Sequence, residues 1–178
     1  MVVYDYSRKI WPEVIDFVDY ISGRILDLGC GNGNLTAYIK NKGLNVIGVD
    51  VSQELLNIAK KKCKAEFIKA DMTKLPFNND YFDNILVIAS FHHLEDNESR
   101  IKALNEIKRV LKPSGHVLMS VWDKHAGQGD KVKNWGGEPA RFYYFFDKDE
   151  LIKLVESSGL NIIWFKHSGD NFFLELSK

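Results

Sequence analysis

The sequence predicts a doubly wound α/β domain, and two observations carry that prediction. Between residues 24 and 123, short apolar runs alternate with stretches that repeat apolar residues at helical spacing. This alternation is typical of a parallel sheet flanked by helices. Two further apolar runs at 161–168 and 171–178 indicate a closing antiparallel pair. We therefore predict a Rossmann-like, mainly parallel seven-stranded sheet with a C-terminal antiparallel strand.

The individual elements follow from local patterns. Buried strands are predicted where apolar residues run together, at 24–29, 45–50, 65–71, 82–90 and 115–123. Helices are predicted from apolar spacing and from capping residues, at 34–43, 52–62, 98–112 and 147–159. Pro113 and Gly115 are expected to end the third of these helices.

Residues 124–146 interrupt the alternation with glycines, a proline and a dense aromatic group. A long irregular insert in a compact domain is usually functional or disordered, and its aromatic content argues against disorder. We expect one domain over residues 1–178, with an N-terminal helical segment at 1–22. The insert at 124–146 is expected to contribute to the active site.

Composition excludes several classes of protein. Lysine plus arginine and aspartate plus glutamate are equal at 24 each, which counts against a broad phosphate-binding surface but not against a local basic patch. No apolar run approaches the roughly 20 residues of a membrane span, and the N-terminus lacks a signal-peptide pattern. Two cysteines without metal-ligand spacing indicate neither a disulfide framework nor a metal site. A cytoplasmic location is the default expectation.

A glycine loop joins the first predicted strand to the first helix. Gly29, Gly31 and Gly33 follow Asp27 in the sequence DLGCGNG. Glycines let a backbone turn sharply and approach a ligand, and the helix N-terminus favours polar or anionic groups. The spacing differs from the dinucleotide fingerprint, and a carboxylate before the loop would repel a pyrophosphate while suiting an ammonium group.

Two more acids end the next two strands. Asp50 is placed to accept hydrogen bonds from ribose hydroxyls, and Asp71 from an exocyclic amine of the base. Ligands of open sheets bind at these carboxyl ends. A nucleoside that carries an amino acid end is S-adenosylmethionine, which we predict as the cofactor. The neighbouring strand-end residues expected to contact it are Val51, Met72, Ile88 and Ala89.

The motifs ILDLGCGNGN, VIGVDVS and KADMTKLPFNNDYFDNILV resemble the successive motifs of class I S-adenosylmethionine-dependent methyltransferases. Four further segments, SRKIWPEVIDF, VIASFHHLEDNESR, VLMSVWDK and ARFYYFFDKDEL, resemble the tRNA wobble-uridine methyltransferases. That resemblance implies methylation of the carboxylate of 5-carboxymethyluridine in the tRNA anticodon loop. It also implies a small zinc-binding activator protein, which would pair with the 65–71 strand at an exposed sheet edge.

The resemblance places Arg8 and Arg141 on the active-site side, and a carboxylate acceptor gives them a role. Such an acceptor is already ionised at neutral pH, so it needs orientation and desolvation rather than a base. Arginine suits that task through bidentate geometry, and a surface ion pair is the alternative. Tyr143, Trp122 and Trp135 are candidates to stack on the acceptor base. Aromatic core packing is the alternative, favoured for the phenylalanines of this segment.

His92 and His93 follow the fourth predicted strand. Metal binding is disfavoured because adjacent residues point apart and no ligand set is completed. A polar wall of the acceptor pocket is the preferred role, with His92 slightly favoured to face the substrate and the other histidine packing or capping.

Two other functions remain open. One is a methyltransferase of the same fold that acts on a small molecule, and the other is a non-catalytic cofactor-binding subunit.

Overall fold

The computed structural model describes residues 10–125 and 142–178. Its helices begin and end at Pro12–Tyr20 (α1), Asn34–Asn41 (α2), Gln53–Lys62 (α3), Asn97–Val110 (α4) and Lys148–Ser157 (α5), with a 3-10 turn at Phe91–His93. Its strands are Arg24–Leu28 (β1), Asn45–Asp50 (β2), Glu66–Lys69 (β3), Phe82–Ile88 (β4), Leu111–Trp122 (β5), Asn161–Ser168 (β6) and Asn171–Ser177 (β7).

The strands form one seven-stranded sheet in the order β3-β2-β1-β4-β5-β7-β6. Neighbours from β3 through β5 are parallel, whereas β7 runs antiparallel to both β5 and β6. The predicted fold class is confirmed. Strand β3 lies at one edge of the sheet, as expected, and the carboxyl ends of β1, β2 and β4 meet at one rim.

Alternate residues of β1 pack into hydrophobic clusters on opposite faces of the sheet. Leu26 and Leu28 of β1 pack in a cluster with α4 and α5, whereas Ile25 packs in a second cluster with α1 and α2. Successive side chains of a strand point to opposite faces, so one short strand anchors both helical layers. No helix among the described residues is long and apolar enough to cross a membrane.

One predicted boundary is wrong. Helix α4 ends at Val110, and β5 begins at Leu111, so Pro113 lies inside the observed strand rather than ending the helix. A proline pushes the residue before it into an extended conformation, which favours early entry into the strand. The pairing with β4 is irregular here, with a register shift between Phe82 and Asn84.

Candidate functional site

A cavity of about 480 Å³ lies at the carboxyl ends of β1, β2 and β4. Its floor is the glycine loop between β1 and α2, and its walls include Trp11 just before α1, Val14 of α1, the Leu94–Glu95 loop and Phe142. Cavities of this size hold cofactors and drug-sized ligands. The sheet therefore positions a ligand site where the three predicted acids converge.

The glycines of the loop have separate roles, although all have positive φ. A Cβ at Gly29 would lie 2.2 Å from the Ser90 Cβ, and one at Gly33 would lie 2.7 Å from the Ala59 Cβ. Within the part of the chain that the structure describes, a Cβ at Gly31 would meet no atom within 4 Å other than its chain neighbours, and Gly31 lines the cavity. Gly29 and Gly33 thus permit close packing, while Gly31 leaves room for a ligand.

Asp50 connects the end of β2 to that loop. Its Oδ2 accepts a hydrogen bond of 2.8 Å from the Gly31 N–H, and its Oδ1 accepts one of 2.9 Å from the Ser52 N–H. A carboxylate has about four lone-pair sites, so both oxygens can also accept from a ligand. The main chain therefore fixes the orientation of a carboxylate that lines the cavity.

Asp27 is buried beneath the loop, at 2% exposure. Its Oδ2 accepts a hydrogen bond of 2.6 Å from the Thr36 hydroxyl. Burial raises the pKa of Asp27 to about 7; the Thr36 hydrogen bond opposes this increase and the charge of Asp50 adds to it. The carboxylate is thus poised to ionise near neutrality, and a bound cation would favour its charged form.

The other residues predicted to hold the cofactor also line the cavity, namely Val51, Asp71, Met72, Ile88 and Ala89. Gly33 does not line it, because the residue is buried against α3. Asp71 Oδ1 accepts hydrogen bonds from both the backbone N–H and the hydroxyl of Thr73, each 2.8 Å long. Nearly the whole predicted set therefore comes together around one cavity.

Ala89 and Ser90 shape the rim at the end of β4. Ala89 has a φ of 51°, which is uncommon for a residue with a side chain. Its N–H donates to the carbonyl and hydroxyl oxygens of Ser120, and the Ser90 hydroxyl donates 2.8 Å to the Leu28 carbonyl. These bonds hold a strained backbone against the ends of β1 and β5. Ser90 and Ser120 were not among the site residues predicted from the sequence.

The two histidines have different surroundings. His93 lines the cavity, and its Nδ1 donates a hydrogen bond of 2.9 Å to the Phe142 carbonyl. His92 is only 1% exposed and is not among the lining residues; its ring packs 5.1 Å from Trp122 and 5.8 Å from Tyr143. The structure thus places His93 at the cavity, contrary to the preference for His92, because consecutive residues of a 3-10 turn point in different directions.

We expect His93→Ala to lower activity at this site about tenfold, because the cavity loses an oriented polar group, with little loss of stability. His92→Ala should instead lower the free energy of unfolding by about 2–4 kcal/mol, since it removes a ring buried among aromatic side chains. Thermal unfolding and initial reaction rates of both variants check this. Equal loss of stability in the two variants would contradict the assignment.

Trp122 and Tyr143, the predicted stacking residues, form a parallel aromatic pair with ring centroids 4.9 Å apart. Neither lines the cavity; the Tyr143 ring instead lies 4.7 Å from the ring of His93. The two rings thus support His93 from outside the cavity. Arg8, Trp135 and Arg141 lie outside the described residues. The described histidines, cysteines and acids include no group of three that could hold a metal ion.

Comparison with known proteins gives two kinds of match. The family model described as "Methyltransferase domain" matches residues 26–119, more than half of the chain. A tRNA (carboxymethyluridine(34)-5-O)-methyltransferase of Arabidopsis thaliana is 37% identical over 138 residues, which cover 74% of this chain and 32% of that protein. This chain thus spans about a third of that relative's length.

Solved structures agree in fold. A SAM-dependent methyltransferase of Methanosarcina mazei superposes with a TM-score of 0.81 at 21% identity, over 96% of this chain and 99% of that one. A chain from the complex between the Haloferax volcanii Trm112 methyltransferase activator and a methyltransferase superposes with a TM-score of 0.79 at 17% identity, over 93% and 87% of the two chains.

Proposed function

Because this chain belongs to the methyltransferase-domain family and uses S-adenosylmethionine as its cofactor, we propose that it methylates the carboxylate of 5-carboxymethyluridine at the tRNA wobble position. The observation that carries the proposal is the 37% identity to an Arabidopsis protein named for that reaction. The tRNA anticodon loop is then the macromolecular partner, which implies work in the cytoplasm.

The residues around the cavity fit the cofactor. Gly31 leaves open space where a side chain would stand, and Asp50 offers two oriented oxygens for a ribose diol. Asp27 gives a buried carboxylate for the ammonium group, and Asp71 an exposed one for the exocyclic amine of adenine. The bound cofactor supplies an electrophilic methyl group on a sulfonium centre. The chain must then bring the acceptor oxygen in line with that methyl group and exclude water.

On the acceptor side, the proposed carboxylate requires no general base, because it is ionised at neutral pH. His93 provides a polar wall whose orientation is fixed by the Phe142 carbonyl. The described lining otherwise carries Asp27, Asp50, Asp71 and Glu95, which favour a cationic cofactor but would repel an anionic acceptor. We therefore propose that Arg8 and Arg141 hold the acceptor carboxylate, and that Trp135 stacks on its base.

We also propose that a small zinc-binding activator protein pairs with β3. Supporting this, β3 lies at the sheet edge, and a structural neighbour was solved in complex with the Trm112 activator. An unpaired edge presents N–H and C=O groups that can pair with another chain.

The test is mass spectrometry of wobble uridines after hypomodified tRNA is incubated with the protein and S-adenosylmethionine, with and without an activator of this class. We expect the mass of 5-carboxymethyluridine to increase by one methyl ester, and the activator to increase the yield. In the same assay, Arg141→Ala should abolish transfer while cofactor affinity stays nearly unchanged.

If the tRNA stays unmodified in both arms and an acid, amine or phenol from a small-molecule panel is methylated instead, the proposal is wrong. The protein is then a small-molecule methyltransferase. Cofactor binding without turnover on any acceptor would instead indicate a non-catalytic subunit.

A further inference from the structure

Arg100 of α4 is a buried cation beside the cavity, at 4% exposure. Its Nη2 donates to two main-chain carbonyls, those of Leu94 at 2.9 Å and Glu95 at 3.2 Å. Its guanidinium carbon lies 3.6 Å from the centre of the Tyr144 ring. Carbonyl dipoles and an aromatic face thus make the direct contacts with the charge, and Asp96 and Glu150 act at longer range.

These contacts join two separate walls of the cavity. Leu94 and Glu95 line it from the loop that precedes α4. Tyr144 belongs to the 142–146 segment, which contributes Phe142 to the cavity lining. The Tyr144 N–H also donates 2.7 Å to the His92 carbonyl. His93 directly precedes Leu94 and bonds to Phe142, so Arg100 connects the same two segments that His93 joins.

Burying the Arg100 guanidinium in this position has a free-energy cost. Arg100 Nε is buried and has no hydrogen-bond partner among the described residues, and desolvating a guanidinium with an unpaired N–H is unfavourable. An apolar residue could fill the same space between α4 and the aromatic segment without that cost. A guanidinium, in contrast, is planar, so it stacks on Tyr144 and donates to two carbonyls at once. This fixes the geometry of the contacts around Arg100.

We infer that Arg100 is a positioning residue, which sets the spacing of the acceptor-side walls and thereby the placement of His93. The inference rests on the proposed function for its kinetic part, because the acceptor must be known to measure turnover. Arg100 itself does not line the cavity within the described part of the chain. Its effect is therefore expected on acceptor turnover and not on cofactor binding.

Arg109 provides a matched control on the same helix. Its guanidinium donates to the Leu75 carbonyl at 3.0 Å and the Phe77 carbonyl at 2.7 Å, and it pairs with Glu106. Leu75 and Phe77 are not among the described residues that line the cavity. Arg109→Lys therefore disturbs an equivalent arginine–carbonyl contact away from the site.

The experiment compares Arg100→Lys, Arg100→Gln and Arg109→Lys by three readouts. They are S-adenosylmethionine affinity by calorimetry, kcat and KM for hypomodified tRNA, and hydrogen exchange of the Tyr144 amide by NMR. We expect both Arg100 variants to lose about tenfold in kcat and to exchange the Tyr144 amide faster, with cofactor Kd within about twofold of wild type. Arg109→Lys should change neither kcat nor that exchange.

Equal behaviour of the Arg100 and Arg109 variants would overturn the inference, as would a fall in cofactor affinity that matches the fall in kcat. Arg100→Lys keeps the charge and much of the volume, so it provides the comparison if Arg100→Gln does not fold. Absence of transfer by the wild-type protein would overturn the proposed function alone. The exchange comparison needs no acceptor and would still decide the role of Arg100.

Discussion

Gly31→Ala is expected to lower S-adenosylmethionine affinity about hundredfold or more, equivalent to roughly 2.7 kcal/mol, while the protein stays folded. Apart from its chain neighbours, no atom of the described residues would lie within 4 Å of the new methyl group, so it would occupy cavity space that the ligand needs. The φ of Gly31 is 53°, where an alanine costs about 1 kcal/mol. Calorimetric titration and thermal unfolding measure the two effects separately.

Alanine substitutions at Gly43 and Gly29 separate the effect of backbone strain from the effect of a steric collision. Gly43 follows α2, has a φ of 80° and is also open at its Cβ position, but it does not line the cavity. Gly43→Ala thus measures the backbone cost alone and should leave cofactor affinity unchanged. Gly29→Ala adds a collision with Ser90 at 2.2 Å, so it should destabilise the fold by about 3 kcal/mol or more.

If Gly31→Ala and Gly43→Ala bind the cofactor equally well, the ligand does not approach the glycine loop closely. Asp50 and the rest of the cavity would then require a different ligand pose. A large loss of stability in Gly31→Ala would instead indicate that the loop closes over the open space seen here.

The strands and the glycine loop were predictable because their signals are local. A short apolar run reports burial directly, and an acid at the end of a parallel strand must reach the same rim as its neighbours. Asp27, Asp50 and Asp71 could therefore be placed together from the sequence. The boundary between α4 and β5 was misplaced, since Pro113 is compatible with either a helix end or the beginning of a strand.

The acceptor side was less predictable because its contacts join distant parts of the chain. His93 bonds to a carbonyl 49 residues away, and no periodicity decides which of two adjacent histidines makes that bond. The stacking of Arg100 on Tyr144 is a contact of the same kind. Trp11 and Val14 reach the cavity through the packing of α1, which the RKIWP segment indicated only through its family resemblance.

Cofactor affinity is expected to depend strongly on pH through Asp27. Burial raises the pKa of this carboxyl to about 7, while the ammonium group of the cofactor keeps its charge below that pH. If only the ionised carboxylate binds the ammonium group well, affinity should fall about tenfold for each pH unit below about 7. Calorimetric titrations between pH 5.5 and pH 8, chosen as roughly spanning that pKa, measure the slope.

Stability of the ligand-free protein should change in the opposite direction. A carboxyl whose pKa is raised by folding stabilises the folded state at low pH, where it is protonated in both states. That contribution is lost as pH rises from about 4, the ordinary aspartate value, through about 7. The ligand-free protein should thus lose stability across the window in which cofactor affinity increases.

Asp27→Asn is the decisive variant, because it keeps the shape and a Thr36 partner but cannot ionise. It should bind the cofactor weakly at every pH and flatten both slopes. Asp50 and Cys30 adjoin Asp27, and Asp71, Glu95 and His93 also line the cavity. Among these side-chain types, an imidazole is the one whose charge ordinarily changes inside that window. His93→Ala therefore serves as the control and should retain the slope. A slope that survives in Asp27→Asn and vanishes in His93→Ala would transfer the pH dependence to the histidine, and the buried carboxylate would not be the ammonium ligand.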